Sequence, residues 1–112
     1  MTTKDISNHK DLQDSIRNEK AVIVYFYNNH CTPCLMIRPK LEHLVNQYFP
    51  NFIYLYVNGE KHLNIQTEYN IFENPTILVF FEGKEFFRES KFISLEEFKN
   101  KIGRIYSLLF SR

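Results

Sequence analysis

His30-Cys31-Thr32-Pro33-Cys34 carries both cysteines of the chain, separated by two residues, between an apolar run and a helical pattern. Upstream, Ala21-Val22-Ile23-Val24-Tyr25-Phe26-Tyr27 is rich in β-branched and aromatic residues; downstream, apolar residues recur at Ile37, Leu41, Leu44, Val45 and Tyr48. That pattern reads as strand, turn and helix. Pro33 suits the helix's first turn, where its missing N–H is no loss, which places Cys31 at or just before the helix N-terminus. Unpaired backbone N–H groups and the positive end of the helix dipole stabilise a thiolate there, so Cys31 is the candidate nucleophile. Cys34, about one turn on, is close enough to attack a mixed disulfide on Cys31 and is the candidate resolving thiol. The pair reads as a redox site, with a structural disulfide, an inert pair or half of a metal site as the alternatives two cysteines leave open.

At 112 residues the chain is expected to form one domain, residues 1–112, large enough for a real core. Two cysteines are too few for a disulfide scaffold. A formal net charge of +1, with no strongly basic or acidic block, argues against a polyanionic partner, so nucleic acid is not expected. Met1-Thr2-Thr3-Lys4-Asp5 lacks the apolar core of a signal peptide, and no apolar run approaches membrane-spanning length. The chain is therefore expected in the cytoplasm, without a membrane partner. In that reducing compartment a close cysteine pair is more often catalytic or metal-binding than structural.

Taken in order, Ser7 or Asn8 can cap a first helix with Leu12 and Ile16 on its apolar stripe, running to about Asn18. The strand Ala21 to Tyr27 is apolar on both faces, as suits a central strand covered by helices on each side. The helix after the cysteines runs to about Phe49, with Pro39 expected to kink it. Phe52 to Val57 is a second strand, and the long helical connection predicts that it lies parallel to the first. Residues 60–72 carry a weaker pattern through Leu63, Ile65, Tyr69 and Ile71, read as one short or broken helix. Thr76 to Phe81 and Lys84 to Glu89 form a hairpin about Glu82-Gly83. Ser94 caps a last helix with Phe98, Ile102, Ile105 and Leu109 on one face.

Together, Cys31-Thr32-Pro33-Cys34 at a strand-to-helix turn, Pro39 within the helix, Tyr69-Asn70-Ile71 before Asn74-Pro75-Thr76, and a closing amphipathic helix resemble the thioredoxin family over most of the chain. The resemblance implies an α/β thioredoxin fold: a mixed sheet of four to five strands with helices on both faces. The count turns on the N-terminal segment, whose opening residues are too short and polar to supply a strand on pattern alone. Cys31-Thr32-Pro33-Cys34 is similar to the family's Cys-Gly-Pro-Cys. Pro75 corresponds to the family's cis-proline, a bond that costs proline only about 0.5–1 kcal/mol over trans. In the family this loop packs beside the cysteines, and the residue before the proline, in this chain Asn74, offers backbone groups to an extended substrate segment.

Three departures stand out. Tyr25 lies where the family often has a buried Asp that accepts the resolving thiol's proton, and a phenol cannot act as that base near neutrality. Tyr25 is expected to be buried beneath the active-site helix, leaving Cys34 without a nearby carboxylate, so that any proton relay uses water or another group, or Tyr25 only fills core volume. His30 replaces the usual aromatic residue before the first cysteine and, when protonated, would favour a thiolate. Ser90-Lys91-Phe92 supplies no glycine where the family commonly lets substrate backbone approach.

The resemblance thus implies a dithiol–disulfide oxidoreductase acting on disulfide-containing client proteins, recycled by a disulfide reductase and needing no bound cofactor. Its site residues are Cys31 and Cys34, with His30, Thr32, Pro33, Asn74 and Pro75 at the substrate. The competing reading is a non-catalytic thioredoxin-like redox sensor or interaction module. A metal or iron–sulfur centre would need ligands from a second chain, since such centres take about four and His9, His30, His43 and His62 show no ligand spacing.

Overall fold

The computed structural model describes residues 2–111. Five strands, β1 (Thr2–Asp5), β2 (Ala21–Tyr27), β3 (Ile53–Asn58), β4 (Thr76–Phe81) and β5 (Lys84–Ser90), form one sheet in the order β1-β3-β2-β4-β5. The helices α1 (His9–Asn18), α2 (Thr32–Tyr48), α3 (Leu63–Glu68) and α4 (Leu95–Phe110) connect and cover it. β3 runs parallel to both β1 and β2, whereas β4 runs antiparallel to β2 and β5. Among the described residues no helix is long and apolar enough to cross a membrane.

β2 is the middle of the molecule because its alternating side chains meet apolar partners on both sides. Val22, Val24 and Phe26 pack with Leu12 and Ile16 of α1 and Ile65 of α3. Ala21, Ile23 and Tyr25 pack with Leu41 and Val45 of α2 and with Phe98, Ile102 and Tyr106 of α4. The helices begin where side chains cap them: Asn8 accepts from the Asp11 N–H and Ser94 from that of Glu97. α2 continues through Pro39. Residues 60–72 hold one short helix, α3. Between β4 and β5, Glu82 and Gly83 both have positive φ (51° and 85°), the backbone of a tight hairpin turn.

The N-terminal segment resolves the expected range of four to five strands in favour of five. Thr2–Asp5 is exposed along its whole length, so it carries no apolar alternation to read. Backbone pairing to β3 at the sheet edge makes it a strand, and the next residue, buried Ile6, ties it in by donating its N–H to the Tyr56 carbonyl at 2.8 Å.

Candidate active site

Cys31 is the N-cap of α2, in extended backbone, and Thr32 and Pro33 are the first two helical residues. Its sulfur accepts the Cys34 backbone N–H at 3.2 Å, a capping bond that satisfies one of the helix's free donors. One helical turn brings the two Cα atoms to 5.2 Å, and the sulfurs are joined as a disulfide. In this oxidised state Cys31 keeps 8% of its surface exposed and Cys34 2%. The approach from β2 is pinned by Asn28, whose side chain accepts the His30 N–H, and by Glu60, which accepts that of Asn29. His30 is exposed, with its Nε2 3.7 Å from a Glu60 carboxylate oxygen.

The Asn74–Pro75 peptide is cis. Pro75 is buried, and its carbonyl accepts the Lys91 N–H at 2.8 Å, linking this loop to the turn after β5. Thr76 reinforces the link through its hydroxyl, which donates to the Glu73 carbonyl and lies 2.9 Å from that of Ser90. Thr32, Pro33 and Pro75 line one groove of about 580 Å³ together with Met36, Lys40 and Lys91. His30 and Asn74 are not part of its lining.

Tyr25 lies fully buried beneath α2, and its hydroxyl donates to the Cys34 carbonyl at 2.7 Å. The hydroxyl therefore holds the helix backbone at Cys34. Burial pushes the Tyr25 hydroxyl well above its ordinary range; nearby Arg38 pulls it down and Glu42 raises it. A tyrosine so placed stays protonated and supplies no base. Its ring belongs to a cluster with Tyr54 and Tyr56. Arg38 lies over Tyr56, 3.6 Å from the ring centroid, and its Nε is 3.6 Å from Glu42.

Residues 3–104 match the family model described as Thioredoxin. The chain belongs to the thioredoxin family. It is 29% identical over 97 residues to the thioredoxin-like protein YdfQ of Bacillus subtilis, covering 87% of this chain and 86% of that one. It is also 33% identical over 85 residues to Thioredoxin-2 of Pyricularia oryzae, covering 76% of this chain but only 49% of that longer protein. Its fold superposes on mitochondrial Thioredoxin 3 from Saccharomyces cerevisiae in the oxidised form, with a TM-score of 0.80 at 19% identity, covering 89% of this chain and 93% of the other. As a thioredoxin-family protein the chain is a thiol–disulfide oxidoreductase, with Cys31 and Cys34 as its redox pair.

Sequence reading missed the Arg38–Glu42 pair over the tyrosines, for which the only signal was a spacing of four along a helix. It also missed the backbone at Lys91. The missing glycine is visible in the sequence, but Lys91 nevertheless has a left-handed φ of 66°, the conformation a glycine would take without resistance.

Proposed function

We propose that the chain acts as a reductase of protein disulfides, with Cys31 as nucleophile and Cys34 as resolving thiol. The supporting observation is the Cys31 sulfur at the N-cap of α2, accepting a backbone N–H beside a groove that the cis-proline loop also lines. An N–H donor and the helix dipole aimed at one sulfur favour its thiolate over that of the cysteine inside the helix. In the reduced protein the Cys31 thiolate attacks one sulfur of a client disulfide, forming a Cys31–client disulfide and expelling the other client sulfur as a thiolate, which takes up a proton. Cys34, after losing its proton, attacks the Cys31 sulfur, closes the Cys31–Cys34 disulfide and releases the second client thiolate. The client gains two electrons and two protons, and the protein's dithiol becomes a disulfide. A disulfide reductase returns it to the dithiol, and no bound cofactor enters the exchange.

An extended client segment pairs with the Asn74 backbone and lies across Thr32, Pro33 and Pro75, while His30 flanks the nucleophile. A lone cysteine pair of this kind suits a reducing compartment, and we place the chain in the cytoplasm. Cys34→Ser tests the assignment. With the resolver gone, mixed disulfides on Cys31 accumulate when the reduced variant meets a disulfide-bonded model protein, and non-reducing electrophoresis displays them. A variant that forms no such adduct, or pH-dependent limiting alkylation that modifies Cys34 first, refutes these roles for the two cysteines. Catalytic reduction of a model disulfide at substoichiometric protein separates this function from a non-catalytic sensor.

A further inference from the structure

We infer that Lys91 and Lys40 make the groove beside the cysteines selective for client segments that carry acidic side chains near the disulfide, an inference that rests on the reductase reading above. The groove has an apolar floor that includes Pro33, Met36, Pro75 and Ile93, and Phe92, 82% exposed, forms part of its lining. Lys40 comes from α2 and Lys91 from the turn between β5 and α4, and among the described residues they are the only charged ones lining it. Among those residues, too, no carboxylate lines the groove and neither lysine forms an ion pair. Two nearby acids in the chain are engaged elsewhere: Glu89 accepts the Ser94 N–H at 3.2 Å, and Glu97 pairs with Lys101 at 3.5 Å. An apolar floor flanked by two unneutralised cations complements an extended segment with apolar residues and a carboxylate.

The backbone adds an independent argument. Lys91 holds a φ of 66°, which crowds any Cβ and suits glycine. Its N–H is bound to the Pro75 carbonyl and the Phe92 N–H to the Ser90 carbonyl, each at 2.8 Å, so the turn is held in this shape. Local stereochemistry thus opposes a lysine at this position, and what its side chain adds is a cation at the groove, 5.3 Å from the Phe92 ring centroid.

The test uses two synthetic peptide disulfides, identical except that aspartate and glutamate flank the half-cystine in one and lysine in the other. Their reduction by the fully reduced protein is followed by stopped flow. The acidic peptide should react about tenfold faster at low salt, with the ratio shrinking toward one as screening rises. Lys91→Gly, which relaxes the backbone, and Lys40→Gln, on an exposed helix position, should each lower that ratio, and the double variant should bring it close to one. Lys91→Gln checks that any change follows the charge and not the backbone. Equal rates for the two peptides with the native protein, or a ratio unmoved in the double variant, overturn the inference. Failure to reduce either peptide overturns the reductase reading instead.

Discussion

The two faces of β2 are built from alternate residues of one strand, yet they are different environments. On one, Val22, Val24 and Phe26 meet α1 and α3 in a buried core of aliphatic and phenylalanine side chains. On the other, Tyr25 lies among Tyr54, Tyr56 and both cysteines beneath α2 and α4. Hydroxyls and sulfurs are thus gathered on the side where α2 presents its N-terminus, and one hydroxyl reaches the backbone of Cys34. The first face supplies stability by area removed from water; the second gives up some of that simplicity to position a reactive pair.

Phe26→Ala is the severest test of that contrast. Phe26 is fully buried on the face away from the cysteines, so truncation should cost about 3–5 kcal/mol in denaturant unfolding. The folded fraction should still reduce disulfides at the native rate. A slowed rate in folded protein would show that the two faces are not separate in function.

Tyr25→Phe keeps the ring and removes the hydroxyl that donates to the Cys34 carbonyl, at a cost of about 0.5–1.5 kcal/mol. The same substitution has a signature at high pH. Burial holds the hydroxyls of Tyr25 and Tyr54 above their ordinary range, so the folded state keeps protons that the unfolded chain releases above about pH 10. Their contribution is complete below that pH and is lost as pH rises toward the folded values, by about 1.4 kcal/mol per pH unit for each tyrosine. Urea unfolding midpoints measured from pH 9 to 11 should fall less steeply in Tyr25→Phe than in the native chain. Parallel slopes would contradict a protonated, buried phenol beneath α2.

A third measurement sharpens the chemical side of the contrast. The Tyr25 hydroxyl is bound to a carbonyl and stays protonated, so Cys34 gets no base from the residue beneath it. Release of a Cys31 mixed disulfide should therefore speed up by up to about tenfold per pH unit while the Cys34 thiol is mostly protonated, as the thiolate fraction grows. Stopped-flow traces from pH 6 to 9 report this directly. A pH-independent rate would mean that another group on this face serves as the base.

The features legible in the sequence are those set by nearby residues. β2 and α2 are marked by their periodicity, the hairpin by Gly83 in its turn, and the redox pair by a spacing that one helical turn converts into adjacent sulfurs. Asn74-Pro75 was legible only through the family resemblance, because nothing local says that its loop joins the turn after β5. β1 has no apolar pattern at all; an edge strand exposed on both faces is specified by the backbone donors and acceptors of its neighbour, which no side-chain alphabet records.

By itself, then, the sequence determined the central strand, the helix that begins at Cys31 and the chemistry of two thiols one turn apart, since each depends on contacts within a few residues. Only the tertiary structure decided which acceptor the Tyr25 hydroxyl takes, that Lys91 is held left-handed against the Pro75 carbonyl, and that Lys40 and Lys91 share one groove. Each of these joins residues from separate elements, and their separation is set by how the sheet and helices pack, which local spacing does not encode.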